Sequence, residues 1–122
     1  MVQVISAPLQ PSLCETGESD SRQLRVGLYQ MKWYDDASEH LQQLHAGVAA
    51  CAHAGAQIVL LPELTLSRYP ADKRPESSSD RQPEDIRNGP TVAFAKDAAR
   101  ENDVFVQVSL YEQVEREDGL GF

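Results

Sequence analysis

The chain has 122 residues, of which 41% are hydrophobic and 25% charged, and its formal net charge is −8. One domain of this length has enough apolar material to bury a core, which excludes wholesale disorder. The acidic balance repels phosphate backbones and anionic membrane surfaces, which argues against nucleic acid as a partner.

Residues 1–24 mix Pro, Ser, Gly and acidic residues without periodicity, so they are expected to form a flexible tail or an upstream extension. They lack a basic stretch followed by a continuous apolar one, so no signal peptide is expected and the cytoplasm is the default location. No apolar run approaches the roughly 18 residues that a membrane span needs.

Arg25-Val26-Gly27-Leu28-Tyr29-Gln30 reads as a first strand. Asp35-Asp36 then precedes a helical pattern in which Leu41, Leu44, Val48, Cys51 and Gly55 recur at helical spacing. Asp36 with Glu39 reads as a capping box, and Gly55 as a C-terminal cap. Gln57-Ile58-Val59-Leu60-Leu61-Pro62 is an apolar run without polar alternation, which predicts a strand buried on both faces. Glu63 follows it directly.

Residues 64–88 form a long polar connection, and residues 73–83 within it are equally well read as a surface insertion. Asn88-Gly89-Pro90 opens a second helix, with Pro90 in its first turn. Val92, Ala95, Ala98 and Ala99 supply the apolar stripe, and Asn102 is placed to end the helix in a left-handed conformation. Residues 104–110 read as a third strand, Tyr111-Glu112 follows, and the remainder reads as a turn-rich connection. Strand, helix, strand, helix, strand predicts crossover connections and a layered α/β sheet.

In such sheets ligands bind beyond the carboxyl ends of the strands. Glu63 and Glu112 both stand there, and both are placed to face one crevice. A carboxylate buried beside an apolar strand is costly unless paired, and burial raises its pKa toward the range of a general base. On pattern alone a catalytic Glu63 and a loop-capping Glu63 stay equally open. The two cysteines, Cys14 and Cys51, form no metal or redox spacing. His40, His45 and His53 are spaced five and eight residues apart, which stacks no pair of ligands on one helix face, so they read as ordinary helix residues and no metal site is expected. Phosphate-binding loops, dinucleotide fingerprints and nucleophile elbows are absent.

Ile58-Val59-Leu60-Leu61-Pro62-Glu63-Leu64, with Ser67-Arg68-Tyr69-Pro70 after it, resembles the first signature of the nitrilase, or carbon–nitrogen hydrolase, superfamily. Val26-Gly27-Leu28-Tyr29-Gln30 resembles that family's first strand, and His53-Ala54-Gly55-Ala56 its helix-to-strand turn. Ser109-Leu110-Tyr111-Glu112 with Asp118-Gly119-Leu120-Gly121-Phe122 resembles its third strand and the run into the next. The likeness covers residues 25–122 and departs from the pattern twice. Thr65 stands where a bulky aromatic is usual, and Arg68 where glycine is.

The resemblance implies an α/β domain with the layered α-β-β-α nitrilase-type fold, of which residues 25–122 would be the N-terminal portion in a truncated fragment. It implies hydrolysis of a non-peptide C–N bond in an amide, N-carbamoyl compound or nitrile by a Glu-Lys-Cys set. Glu63 matches the glutamate. The lysine and cysteine belong to strand ends beyond Phe122, so the isolated chain is expected to be inactive. Glu112 would support the site, and Tyr69 would line the substrate pocket or simply pack. The implied partners are a small-molecule substrate and other subunits of a homo-oligomer, with no cofactor. The rival expectation is a non-catalytic α/β module that binds a small ligand or a partner in the same crevice.

Overall fold

Three short runs of β-formers pair into one parallel sheet: β1 (Val26–Leu28), β2 (Ile58–Leu60) and β3 (Phe105–Gln107), with β2 in the middle. The structure is a computed structural model that describes residues 2–8, 23–69, 83–116 and 119–121, with side chains described as far as Val114. Val26, Ile58 and Phe105 share one row of the sheet, Gly27, Val59 and Val106 the next, and Leu28, Leu60 and Gln107 the third. Parallel neighbours require crossovers. These run through α1 (Ala37–His53) and α2 (Pro90–Asn102).

The helix ends follow local chemistry. Asp36 caps α1, its Oδ1 accepting the Glu39 N–H at 2.7 Å, which is the aspartate half of the expected capping box. At the other end Gly55 takes φ +89°. Its N–H donates to the Ala52 carbonyl at 2.8 Å, and the Ala56 N–H donates to that of Cys51 at 3.0 Å. That is a Schellman closure, and it turns the chain directly into β2. Pro90 sits in the first turn of α2 as expected. The left-handed residue that ends α2 is Asp103 (φ 53°), not Asn102. Asn102 stays helical because its Nδ2 donates to the Ala98 carbonyl at 2.9 Å, closing the last turn with a side chain.

Both helices pack on one face of the sheet. Leu44 and Val48 of α1, Phe94 and Ala98 of α2 and Val59 of β2 form the centre of the core, with Ala56 and Leu61 at its ends. The buried face of α1 is His40, Leu44, Gly47 and Val48, while Leu41 is exposed. In α2 it is Thr91, Phe94 and Ala98, and Val92, Ala95 and Ala99 are only half-buried. Each helix is thus turned a little from the face its apolar residues marked. Gly47 faces the sheet because the Tyr29 ring lies where a side chain would go.

The opposite face of the sheet carries Val26, Leu28 and Phe105, all exposed, beside half-buried Ile58 and Leu60. The expected burial of the second strand on both faces is therefore met on one face only among the described residues. The expected turn-rich tail is also corrected. Residues Val114–Arg116 (β4) and Gly119–Gly121 (β5) pair antiparallel, with Val114 opposite Gly121. The Asp118-Gly119 dipeptide in this stretch of sequence is a hairpin signal by composition.

Of the predicted tail, residues 2–8 have no regular secondary structure, and most of the rest lies outside the described residues, as do Cys14 and nearly all of the 73–83 segment. No helix among the described residues is long and apolar enough to cross a membrane.

Candidate active site

Because β2 and β3 run parallel, the chain leaves both at the same edge of the sheet. Beyond β2 the pairing persists for one more bond, from the Leu61 N–H to the Gln107 carbonyl at 3.2 Å. Pro62 then ends it, having no N–H to donate. Glu63 comes next, with an exposed side chain. The burial expected around this carboxylate is not supplied by the described residues.

The backbone around Glu63 is tightly defined. Leu64 is buried and adopts φ 53°, the left-handed region that leucine rarely enters. Thr65 is 2% exposed and bonds on every side. Its N–H donates to the Ser109 carbonyl at 2.9 Å. Its Oγ1 donates to the Pro62 carbonyl at 3.1 Å and accepts the Ser109 N–H, also at 3.1 Å. Its own carbonyl accepts from His40 Nε2 at 2.9 Å. The Ser67 N–H closes the turn onto the Leu64 carbonyl at 2.9 Å. Arg68 adds an exposed ion pair to Asp35 at 3.1 Å, ahead of α1.

His40 is thus not the ordinary helix residue expected. It is 6% exposed, and Trp33 covers it with ring centroids 4.2 Å apart. The Tyr34 N–H makes a long contact of 3.5 Å to His40 Nδ1. With Nδ1 accepting, the ring proton sits on Nε2 and points at Thr65. The two departures from the family pattern, Thr65 and Arg68, are both contacts that tie the turn after Glu63 to other segments.

Glu112 lies past β3, its side chain exposed. Its neighbours on either side bond to the Glu84 backbone. The Glu84 N–H donates to the Tyr111 carbonyl at 2.7 Å, and the Gln113 N–H donates to the Glu84 carbonyl at 2.8 Å. The sheet brings the segments bearing Glu63 and Glu112 to one edge through the Thr65–Ser109 bonds. No hydrogen bond joins the two carboxylates. Tyr69 is 51% exposed, so the described residues do not pack around it.

The buried carboxylate near this region among the described residues is Glu84, which falls within the polar connection of residues 64–88. It is 8% exposed. Its Oε2 accepts the Thr91 N–H at 2.8 Å and its Oε1 accepts the Thr91 hydroxyl at 2.6 Å. Gly89, the N-cap residue, has no side chain to cap α2, and Glu84 does so from outside the helix. An acidic residue shortly before a proline-initiated helix is the signal that would have found it. Beside it, Asp85 accepts the backbone N–H groups of Arg87 and Asn88, which hold its carboxyl below the usual range.

Cys51 faces the sheet from α1, and burial pushes its thiol pKa up, away from the thiolate a nucleophile needs. Burial likewise raises Tyr29, helped by Tyr34 and Cys51 nearby. Among the described residues no group of three His, Cys, Asp or Glu side chains could hold a metal ion.

The sequence profile of the carbon–nitrogen hydrolase family matches residues 25–120. The chain belongs to that family. The match starts at the residue before β1 and ends within β5, so it includes the sheet, both helices and the turn bearing Glu63. The three-stranded parallel sheet and two helices are consistent with part of the nitrilase-type fold. No curated protein matches the chain.

Proposed function

We propose that Glu63 is the catalytic base of a carbon–nitrogen hydrolase that cleaves a non-peptide C–N bond in an amide, N-carbamoyl compound or nitrile. The observation supporting this most directly is the exposed carboxylate on a buried, multiply bonded turn at the carboxyl end of the central strand. A base must be held still and remain reachable.

In this mechanism Glu63 accepts the proton of a cysteine thiol, and the thiolate attacks the substrate carbon. A lysine stabilises the charge that develops on the substrate oxygen or nitrogen. With an amide or N-carbamoyl compound the C–N bond breaks, the amine or ammonia leaves with the proton that Glu63 took from the thiol, and an S-acyl or S-carbamoyl enzyme remains. A nitrile first gives a thioimidate, which must add a water before ammonia leaves and the thioester forms. Glu63 then takes a proton from water, and the hydroxide cleaves the thioester. By resemblance the lysine and cysteine stand on strand ends after residue 122, so the 122-residue chain alone turns over no substrate. Glu112 orients the lysine or the substrate, and Tyr69 lines the pocket. The chemistry needs no metal or organic cofactor. The complete enzyme is a cytoplasmic homo-oligomer acting on small molecules.

Glu63→Gln tests the assignment in a polypeptide that joins this chain to the lysine and cysteine. Glutamine keeps the volume of the side chain and cannot accept a proton at neutral pH. The kcat/KM should fall by about 10²–10⁴ with the denaturation midpoint unchanged. Near-wild-type turnover would rule out Glu63 as the base.

A further inference from the structure

Leucine has no side-chain polar group to stabilise a left-handed backbone locally, as asparagine or aspartate can. The φ of 53° at Leu64 must therefore be imposed by surroundings that over-determine it. Among the described residues Leu64 is itself buried, and its carbonyl accepts from the Ser67 N–H at 2.9 Å. Thr65 bonds backward to Pro62 and across to Ser109, through both its backbone and its hydroxyl. His40 reaches from α1 to the Thr65 carbonyl. The His40 ring is fixed by Trp33 on its face and by the Tyr34 N–H at Nδ1.

We propose that Thr65 and His40 are positioning residues for Glu63: together they hold Leu64 left-handed, and so fix where the preceding carboxylate stands. The proposal rests on the reading of Glu63 as the base. Nothing in it requires either side chain to touch substrate. The hydroxyl of Thr65 is the central part, because it acts as donor to one strand end and acceptor from the next. The imidazole makes the turn answer to the packing of α1.

Three substitutions test this. Thr65→Val removes the hydroxyl at nearly constant shape, Thr65→Ser keeps it, and His40→Leu removes the donor. In the 122-residue chain, the Leu64 amide–α-proton coupling and backbone shifts report its φ. Amide exchange at Ser109 reports the bond to Oγ1. Thr65→Val and His40→Leu should release Leu64 from the left-handed region. Exchange at Ser109 should quicken by about two- to tenfold in Thr65→Val, the change expected from loss of one net hydrogen bond. Thr65→Ser should restore both. A Leu64 that stays left-handed in Thr65→Val and His40→Leu overturns the proposal. Should Thr65→Val fail to fold, His40→Leu decides by the same coupling.

In the polypeptide carrying the lysine and cysteine, Thr65→Val should lower kcat by roughly 10–10² with little change in KM, as misplacement of a reacting group does. Thr65→Ser should recover it. In a Glu63→Gln background Thr65→Val should cost nothing more, because its effect passes through the missing carboxylate. A full additional loss there, with Glu63→Gln itself inactive, overturns the positioning role alone. Near-wild-type turnover of Glu63→Gln overturns the reading of Glu63 beneath it.

Discussion

Glu84 and Asp85 show two adjacent carboxylates with different work. Glu84 is buried against Thr91, which is itself fully buried. Glu84→Ala would leave the Thr91 N–H and hydroxyl without their acceptor, and such a loss costs about 1–3 kcal/mol. Glu84→Gln retains an acceptor for the N–H and a donor for the hydroxyl oxygen, so it should cost less. Denaturation midpoints of both variants check the order. Asp85 is exposed, and the two N–H bonds favour its charged form. Its folded pKa lies below the ordinary 3.8. A depressed carboxylate stabilises the fold above its unfolded pKa, and that contribution fades as pH falls through the folded value. Asp85→Ala should therefore be less stable than the parent at neutral pH. The gap should narrow only below the ordinary carboxylate range, as read by denaturant titration across acid pH.

α1 lies against β1 because two glycines let it approach. A Cβ at Gly27 would stand 2.8 Å from the Cys51 Cβ, and one at Gly47 would stand 2.4 Å from the Tyr29 ring. Gly47→Ala removes a helix-breaking residue from mid-helix, which alone would favour α1 by roughly 0.5–1 kcal/mol. The overlap with Tyr29 opposes this and is the larger effect, since overpacking a core costs about 1–3 kcal/mol. Net destabilisation is the expected outcome. Gly47→Ala combined with Tyr29→Leu should recover part of it, and thermal denaturation of the pair separates propensity from packing. The end of α1 behaves differently. There Gly55 is needed for its positive φ, and the sequence alone marked it.

Among the described residues the sheet is covered on one side. The exposed face bearing Val26, Leu28 and Phe105 is an apolar patch of the kind that soluble domains ordinarily cover. In the α-β-β-α fold a second sheet stacks on that face. The 122-residue chain should therefore bind a hydrophobic dye. Leu28→Lys with Phe105→Lys should abolish the dye fluorescence without unfolding the chain. In a polypeptide that adds the second sheet, the same pair of lysines would be buried without partners. It should then destabilise strongly, as unpaired buried charges do. An unchanged denaturation midpoint in the longer polypeptide would show that this face is not the one covered.

Much of this architecture was legible from residue order alone. The alternation of strands and helices, the Asp36 cap, the Gly55 turn and Pro90 at the start of α2 all depend on neighbours within a few positions. So does the placement of Glu63 after the second strand, because the end of an apolar run marks the end of a strand; that this strand is the middle one of the sheet came only from the pairing. The parts that escaped are those made by partners distant in sequence. His40 read as a plain helix residue because its acceptor is Thr65, 25 positions on. Thr65 read as a departure from a pattern because its hydroxyl meets Ser109, 44 positions on. The exposure of one sheet face was hidden because an apolar run looks the same whether one side or both are covered. Local sequence sets backbone propensity and capping, which act over one turn of helix or one step of strand. Pairing of buried polar groups is set by where packing brings distant segments, and only the folded chain contains that distance.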